Sequence, residues 1–122
     1  MNWTFFFAML AFLETRGEKD PDNFIRKDEQ AYGRYQIRQA YLDDSNEFAG
    51  TDFTLKDCLR PSIAEIVIVN YMKRYAPMSV ETGNYIRLAR IHLGGPRGNG
   101  KESTEEYGRK AQAWLDEQKE NK

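Results

Sequence analysis

Phe5-Phe6-Phe7-Ala8-Met9-Leu10-Ala11-Phe12-Leu13-Glu14-Thr15-Arg16-Gly17 is the stretch on which the fold turns. Phe5, Met9 and Phe12, with Phe6, Leu10 and Leu13, recur at three- and four-residue spacing, the period of a helix. Apolarity almost all the way round means burial on most sides, as for the central helix of a small α-rich domain. The helix is expected to run from residue 2 or 3 to Arg16, with Gly17 as its left-handed stop. Glu14 then lies in the last turn. It faces the negative end of the helix dipole there, and apolar neighbours desolvate it; both effects favour the protonated carboxyl, which is what a general acid needs.

The same run has the length of a signal-peptide apolar region. No Lys or Arg precedes it, however, and no small-x-small cleavage site follows before Glu14, so a core helix is expected rather than a cleaved leader. No segment approaches the ~20 apolar residues of a membrane span. The compartment stays open.

The 122 residues suit a single domain, 1–122, and a globule of this size buries roughly two-thirds of its unfolded surface. A net charge of -1 gives no general attraction to nucleic acid and none to an anionic wall polymer. Neither nucleic acid nor a membrane is expected as a partner, and the chain is expected to be a monomer. Cys58 is the only cysteine, so there is no intrachain disulfide, and its expected place is the core, as a small hydrophobe. His92 is the only histidine. No multi-histidine metal site exists, any catalytic triad would need His92 as its base, and no cofactor is expected.

Beyond Gly17 the chain is charged and broken by Pro21. Asn23-Phe24-Ile25-Arg26 and Tyr32-Gly33-Arg34-Tyr35 read as short strands around a turn at Lys27 to Gln30, giving a small β-hairpin or three-stranded sheet. Helical pattern resumes at Gln36 to Leu42, and Asp43, Asp44, Ser45 and Asn46 are expected to end it. Pro61 opens a stronger helix through Ile63, Ile66, Val67, Val69, Tyr71 and Met72 that stops before Pro77; Ile66 to Val69 look strand-like, but the length favours helix. Glu81 to His92 carries Tyr85, Leu88, Ala89 and His92 on one face and ends at Gly94-Gly95-Pro96. The last helix, Thr104 to Gln118, aligns Tyr107, Ala111, Trp114 and Leu115, with Ser103 or Thr104 as its cap. Glu117 to Lys122 is expected to be a fraying end. The fold class is α+β, mainly α.

Four segments in order resemble one family. Glu14-Thr15-Arg16-Gly17 is similar to a Glu-Ser-x-Gly after a helix, and Tyr32-Gly33-Arg34-Tyr35-Gln36-Ile37 to a Gly-x-Tyr-Gln-Ile. Val69-Asn70-Tyr71-Met72-Lys73-Arg74-Tyr75-Ala76 is similar to the helix that follows. Ala89-Arg90-Ile91-His92-Leu93-Gly94-Gly95-Pro96-Arg97-Gly98 is similar to an Ala-Arg-Ile-His-Asn-Gly-Gly-Pro-x-Gly, with Leu93 where that pattern has Asn. Together they resemble the lysozyme superfamily, in particular the invertebrate-type (destabilase) lysozymes and their cysteine-poor bacterial and viral transglycosylase-like relatives, over about residues 10 to 115.

The resemblance implies a lysozyme-like fold and peptidoglycan or a chitooligosaccharide as the ligand. Glu14 is the implied acid and Asp28 the nearest match to the second carboxylate, with Glu29 and Asp22 as alternatives. Lysozymes are the type case of this chemistry: one carboxyl protonates the leaving oxygen, and a second serves as nucleophile or activates water. Gln36, Tyr35 and Tyr32 are expected to contact the sugar. His92 is expected to brace the Gly94-Gly95 turn and to reach the cleft, and the glycines to let backbone approach a sugar. Gly94 to Lys101 lacks the Gly-Lys-Ser/Thr order and the preceding strand of a phosphate loop.

The implied activity is cleavage between N-acetylmuramic acid and N-acetylglucosamine, as a lysozyme. A lytic transglycosylase, in which a single acid suffices and the muramoyl 6-hydroxyl captures the cation, is the first alternative. A non-catalytic glycan- or inhibitor-binding domain of the same shape is the second.

Overall fold

The computed structural model describes residues 1–120. Among them are six α-helices and one two-stranded antiparallel hairpin, an α+β arrangement that is mainly α. They fall into two compact units, Met1–Leu13 with Ala76–Lys122, and Glu14–Tyr75.

In the first unit, α1 (Trp3–Thr15) begins where Asn2 Oδ1 accepts the Phe5 N–H at 3.0 Å, satisfying one of the free donors of a helix start. Phe6, Met9 and Leu10 are fully buried, each contributing about 1.5–3 kcal/mol of transfer free energy. Phe5 meets Tyr85 and Trp114 with ring centroids 5.3 and 4.9 Å apart. The helix ends close to its expected stop, and its last two residues, Glu14 and Thr15, belong to the second unit.

The expected single helix over Glu81 to His92 is two helices, α4 (Pro77–Thr82) and α5 (Tyr85–Gly94). Gly83 takes a left-handed φ of +70° and closes α4, and Asn84 Oδ1 accepts the Arg87 N–H at 3.2 Å to start α5. A C-terminal glycine followed at once by an N-cap outweighs continuous periodicity. Leu88, Ala89, Ile91 and His92 are buried along α5. In α6 (Glu105–Glu120), Ala111 and Trp114 are buried while Tyr107 and Leu115 are half-buried. Residues 121 and 122, the end of the expected tail, lie outside the described residues.

In the second unit, β1 (Ile25–Arg26) pairs with β2 (Ala31–Tyr32) around the expected turn, Ile25 opposite Tyr32 and Arg26 opposite Ala31. The strands are shorter than the sequence suggests because Gly33, at φ +80°, starts a second turn closed by the Gln36 N–H on the Gly33 carbonyl at 3.1 Å. Ile37 then returns to form one isolated bridge with Tyr32, so a hairpin forms rather than a three-stranded sheet.

Helix α2 occupies Gln39–Ala49, three residues later at its start than expected and well past Asn46. Gln36 is used in the turn and Arg38 is extended, which delays the start. The polar run does not stop the helix because its side chains bond sideways. Ser45 donates to the Val67 carbonyl at 2.9 Å, and Asn46 holds Thr51 and Phe53 of the following loop. Gly50, at φ +70°, is the actual stop. Helix α3 (Pro61–Tyr75) packs on α2: Tyr41 stacks on Tyr71 with ring centroids 3.7 Å apart, and Arg74 binds the Asp44 carbonyl and Glu47. Cys58 is buried as expected, and burial pushes its thiol up to about 11.

Candidate functional site

Glu14 is half-buried in the last turn of α1. The next residue, Thr15, is buried, and its hydroxyl donates to the Arg34 carbonyl at 2.9 Å. The end of α1 is thereby fixed to the turn that carries Tyr35 and Gln36. Tyr41 has its phenol pushed well above the ordinary value, chiefly by burial and then by the charges of Tyr71 and Glu14. The Glu14 carboxylate is thus near enough to act electrostatically on Tyr41.

Gln36 is 6% exposed and holds a positive φ of 55°, rare for a residue other than glycine. Its Nε2 donates to the carbonyls of Gly33 and Phe24 at 2.8 and 3.4 Å. That orientation is forced, since a flipped amide would set oxygen against two carbonyl oxygens. Oε1 is left as the one buried side-chain oxygen with no hydrogen bond among the described residues. An orphaned buried acceptor and a strained backbone each cost about 1–3 kcal/mol, and at Gln36 the two coincide.

Tyr35 differs from the expectation of a sugar contact. It is 1% exposed, and its hydroxyl donates to Glu65 Oε2 at 2.6 Å. Burial first, and then the Glu65 carboxylate, push this phenol far above its ordinary value, against the lowering influence of Arg34. A side chain so enclosed presents no surface to a sugar. Tyr32 is half-buried between Ile25 and Ile37 in the hairpin.

The three candidate second carboxylates differ sharply. Asp22 binds Arg34 through both oxygens, at 2.8 and 3.3 Å. Glu29 is shared between Arg26 and Arg38 at 3.4 and 3.0 Å. Asp28 is exposed in the hairpin turn and makes no hydrogen bond or ion pair among the described residues.

His92, Gly94 and Gly95 belong to the first unit, where His92 is 7% exposed in the last turn of α5. Gly95 caps α5 at φ +87°, and two glycines of this loop, Gly94 and Gly98, are required by the chain's own packing. A Cβ on Gly94 would lie 2.5 Å from the Thr104 methyl, and one on Gly98 would collide with the Arg90 carbonyl. The loop is tied by Lys101 Nζ donating to the Gly94 carbonyl at 2.8 Å and by Thr104, whose hydroxyl donates to the Gly98 carbonyl at 2.6 Å and accepts from Arg90 Nε at 2.9 Å. A shallow groove beside it is lined by Ile86, Arg90, Glu105, Gly108, Arg109 and Gln112, none of them a residue singled out from the sequence.

The sequence reading missed Glu65, Thr15 and Arg34. The signal for Glu65 was present as a lone charge inside the apolar run Ile63 to Val69; its half-buried place against Tyr35 explains why it stands there. Among the described residues no group of three or more His, Cys, Asp or Glu side chains is gathered as a metal site would require, and no helix is long and apolar enough to cross a membrane. Neither a scan against protein-family models nor a search of curated proteins finds a match to this chain.

Proposed function

We propose that this chain cleaves the β-1,4 bond between N-acetylmuramic acid and N-acetylglucosamine in peptidoglycan, with Glu14 as the general acid. The observation that carries the reading is the placing of Glu14: half-buried at the end of α1, next to a Thr15 whose hydroxyl is bonded to the Arg34 carbonyl, and close enough to act electrostatically on the buried Tyr41. The likeness of its segments to destabilase-type lysozymes and their transglycosylase-like relatives supports the same role.

In this mechanism the Glu14 carboxyl gives its proton to the glycosidic oxygen as the bond from C1 to that oxygen breaks, and the leaving sugar departs as an alcohol. The orphaned Gln36 Oε1 supports a sugar ligand, because a sugar hydroxyl or an N-acetyl N–H is the kind of donor that would complete it. Water captures C1 if the enzyme is a hydrolase, and the muramoyl 6-hydroxyl does so if it is a lytic transglycosylase; with a single acid the attacking hydroxyl gives its proton to the Glu14 carboxylate, which restores the acid. One observation favours the second reading. Asp22 and Glu29 are committed to arginines and Asp28 stands in solvent, which suits a mechanism with a single acid.

Clearing of a bacterial wall suspension tests both readings. Glu14→Gln is expected to keep the fold and lose at least ~100-fold in rate, the scale of a missing general acid. Asp28→Asn is expected to lose less than ~10-fold, or ~1.4 kcal/mol of barrier, if one acid suffices. A loss at Asp28 as deep as that at Glu14 would restore the two-carboxylate hydrolase. Unchanged turbidity with the wild-type chain, combined with glycan affinity, would instead support a non-catalytic binding domain.

A further inference from the structure

Glu65 sits in α3 between Ala64 and Ile66, half-buried and with no cationic partner among the described residues. A carboxylate in that position loses hydration without the return of an ion pair. The contact that holds it is the Tyr35 hydroxyl at 2.6 Å, a short charge-assisted bond. Tyr35 is joined by its own peptide bond to Arg34, whose carbonyl accepts the Thr15 hydroxyl at 2.9 Å. Thr15 follows Glu14 directly. The Arg34 guanidinium is held from another direction by both oxygens of Asp22. The Arg34-Tyr35 dipeptide is thus clamped to α3, to the end of α1 and to the turn at Pro21–Asn23, all within Glu14–Tyr75.

We propose that Glu65, working through the Tyr35 hydroxyl and the Arg34 carbonyl, is a positioning residue that fixes the Glu14 carboxyl. This rests on the reading of Glu14 as the acid and adds the device that aims it. Without the carboxylate at residue 65 the buried Tyr35 hydroxyl keeps its interaction with the Arg34 side chain but loses the acceptor that ties it to α3. The turn at residues 33–36 then shifts, and the Arg34 carbonyl moves away from Thr15. The last turn of α1 carries Glu14 with it. Displacements of about 1 Å at a reacting group cost up to about 100-fold in rate, so a small shift here is measurable.

The test combines steady-state kinetics on a soluble chitooligosaccharide with NMR titration of the Glu14 side-chain carboxyl in carbon-13-labelled protein. Thr15→Val, Tyr35→Phe and Glu65→Ala each remove one link. They are expected to lower kcat about tenfold or more with KM little changed, and to displace the Glu14 titration midpoint. Thr15→Ser keeps the hydroxyl and Glu65→Gln keeps an acceptor, so both should restore the titration and most of kcat. Tyr35→Phe combined with Glu65→Ala should be no worse than either alone, because both break the same link. Should Tyr35→Phe not fold, Thr15→Val tests the other end of the brace.

The proposal is overturned if Thr15→Val and Glu65→Ala, folded by circular dichroism, keep the wild-type titration and kcat. It is also overturned if Glu65→Gln is as damaging as Glu65→Ala. The titration reads the brace without reference to turnover. An active Glu14→Gln variant would therefore remove the acid assignment alone, whereas an unmoved titration would remove the brace alone.

Discussion

Gly33 shows how far a single residue can be dictated by its surroundings. Its φ of +80° lies in the left-handed region, and a Cβ there would stand 2.6 Å from the Cys58 carbonyl oxygen, which cannot rotate away. Gly33→Ala is expected to cost at least about 2 kcal/mol, the sum of left-handed strain and a clash with backbone. Gly17 has a similar φ of +88° but nothing near the missing Cβ, so Gly17→Ala should cost only about 1 kcal/mol. Urea unfolding midpoints compare the two, and equal losses would contradict the packing account. Gly17 was legible in the sequence as a helix stop, whereas Gly33 read as part of a short strand. The difference in cost between them was not legible, because it depends on Cys58, which is remote in the chain. The same holds for Tyr35: its aromatic character was plain, but its partner Glu65 is 30 residues away and belongs to α3.

At the level of elements, α1 and α3 were readable nearly to the residue because dense apolar periodicity and terminal Gly or Pro agree there. Helix α2 was displaced because Ser45 and Asn46 look like helix stops until their bonds to Val67 and to the 51–53 loop are seen. The split of α4 from α5 was written in Gly83-Asn84 and was outweighed by periodicity. The packing of α2, α3 and the hairpin also predicts a pH response. Burial raises Cys58 to about 11 and pushes Tyr35, Tyr41 and Tyr71 above their ordinary values. Folded values above the unfolded ones, about 8.5 for thiol and 10 for phenol, mean that the protonated forms stabilise the fold. Their contribution is complete below those unfolded values and is lost as pH rises toward the folded ones. Thermal midpoints followed by circular dichroism should hold to about pH 8.5 and decline steadily above it. A midpoint that is flat or rising to pH 11 would contradict the burial of these groups.

On the scale of the whole molecule, the residues expected to form one site are distributed over both units. Glu14, Asp28, Tyr32, Tyr35 and Gln36 belong to Glu14–Tyr75, and His92, Gly94 and Gly95 to the unit completed by Ala76–Lys122. Segment order in the sequence singled out these stretches. It did not indicate that Gly94 and Gly98 answer to Thr104 and Arg90, or that Gln36 holds a buried oxygen without a donor, since each is a three-dimensional relation. The central claim is that Glu14 protonates a glycosidic oxygen in peptidoglycan, and the products of that step carry its signature. Purified walls digested with the wild-type chain and with Glu14→Gln, followed by mass spectrometry of the released muropeptides, test it most directly. The account predicts N-acetylglucosamine–N-acetylmuramic acid units with reducing or 1,6-anhydro muramoyl ends from the wild type and almost none from Glu14→Gln. Intact glycan strands with the wild type, or the same products from both chains, would contradict it.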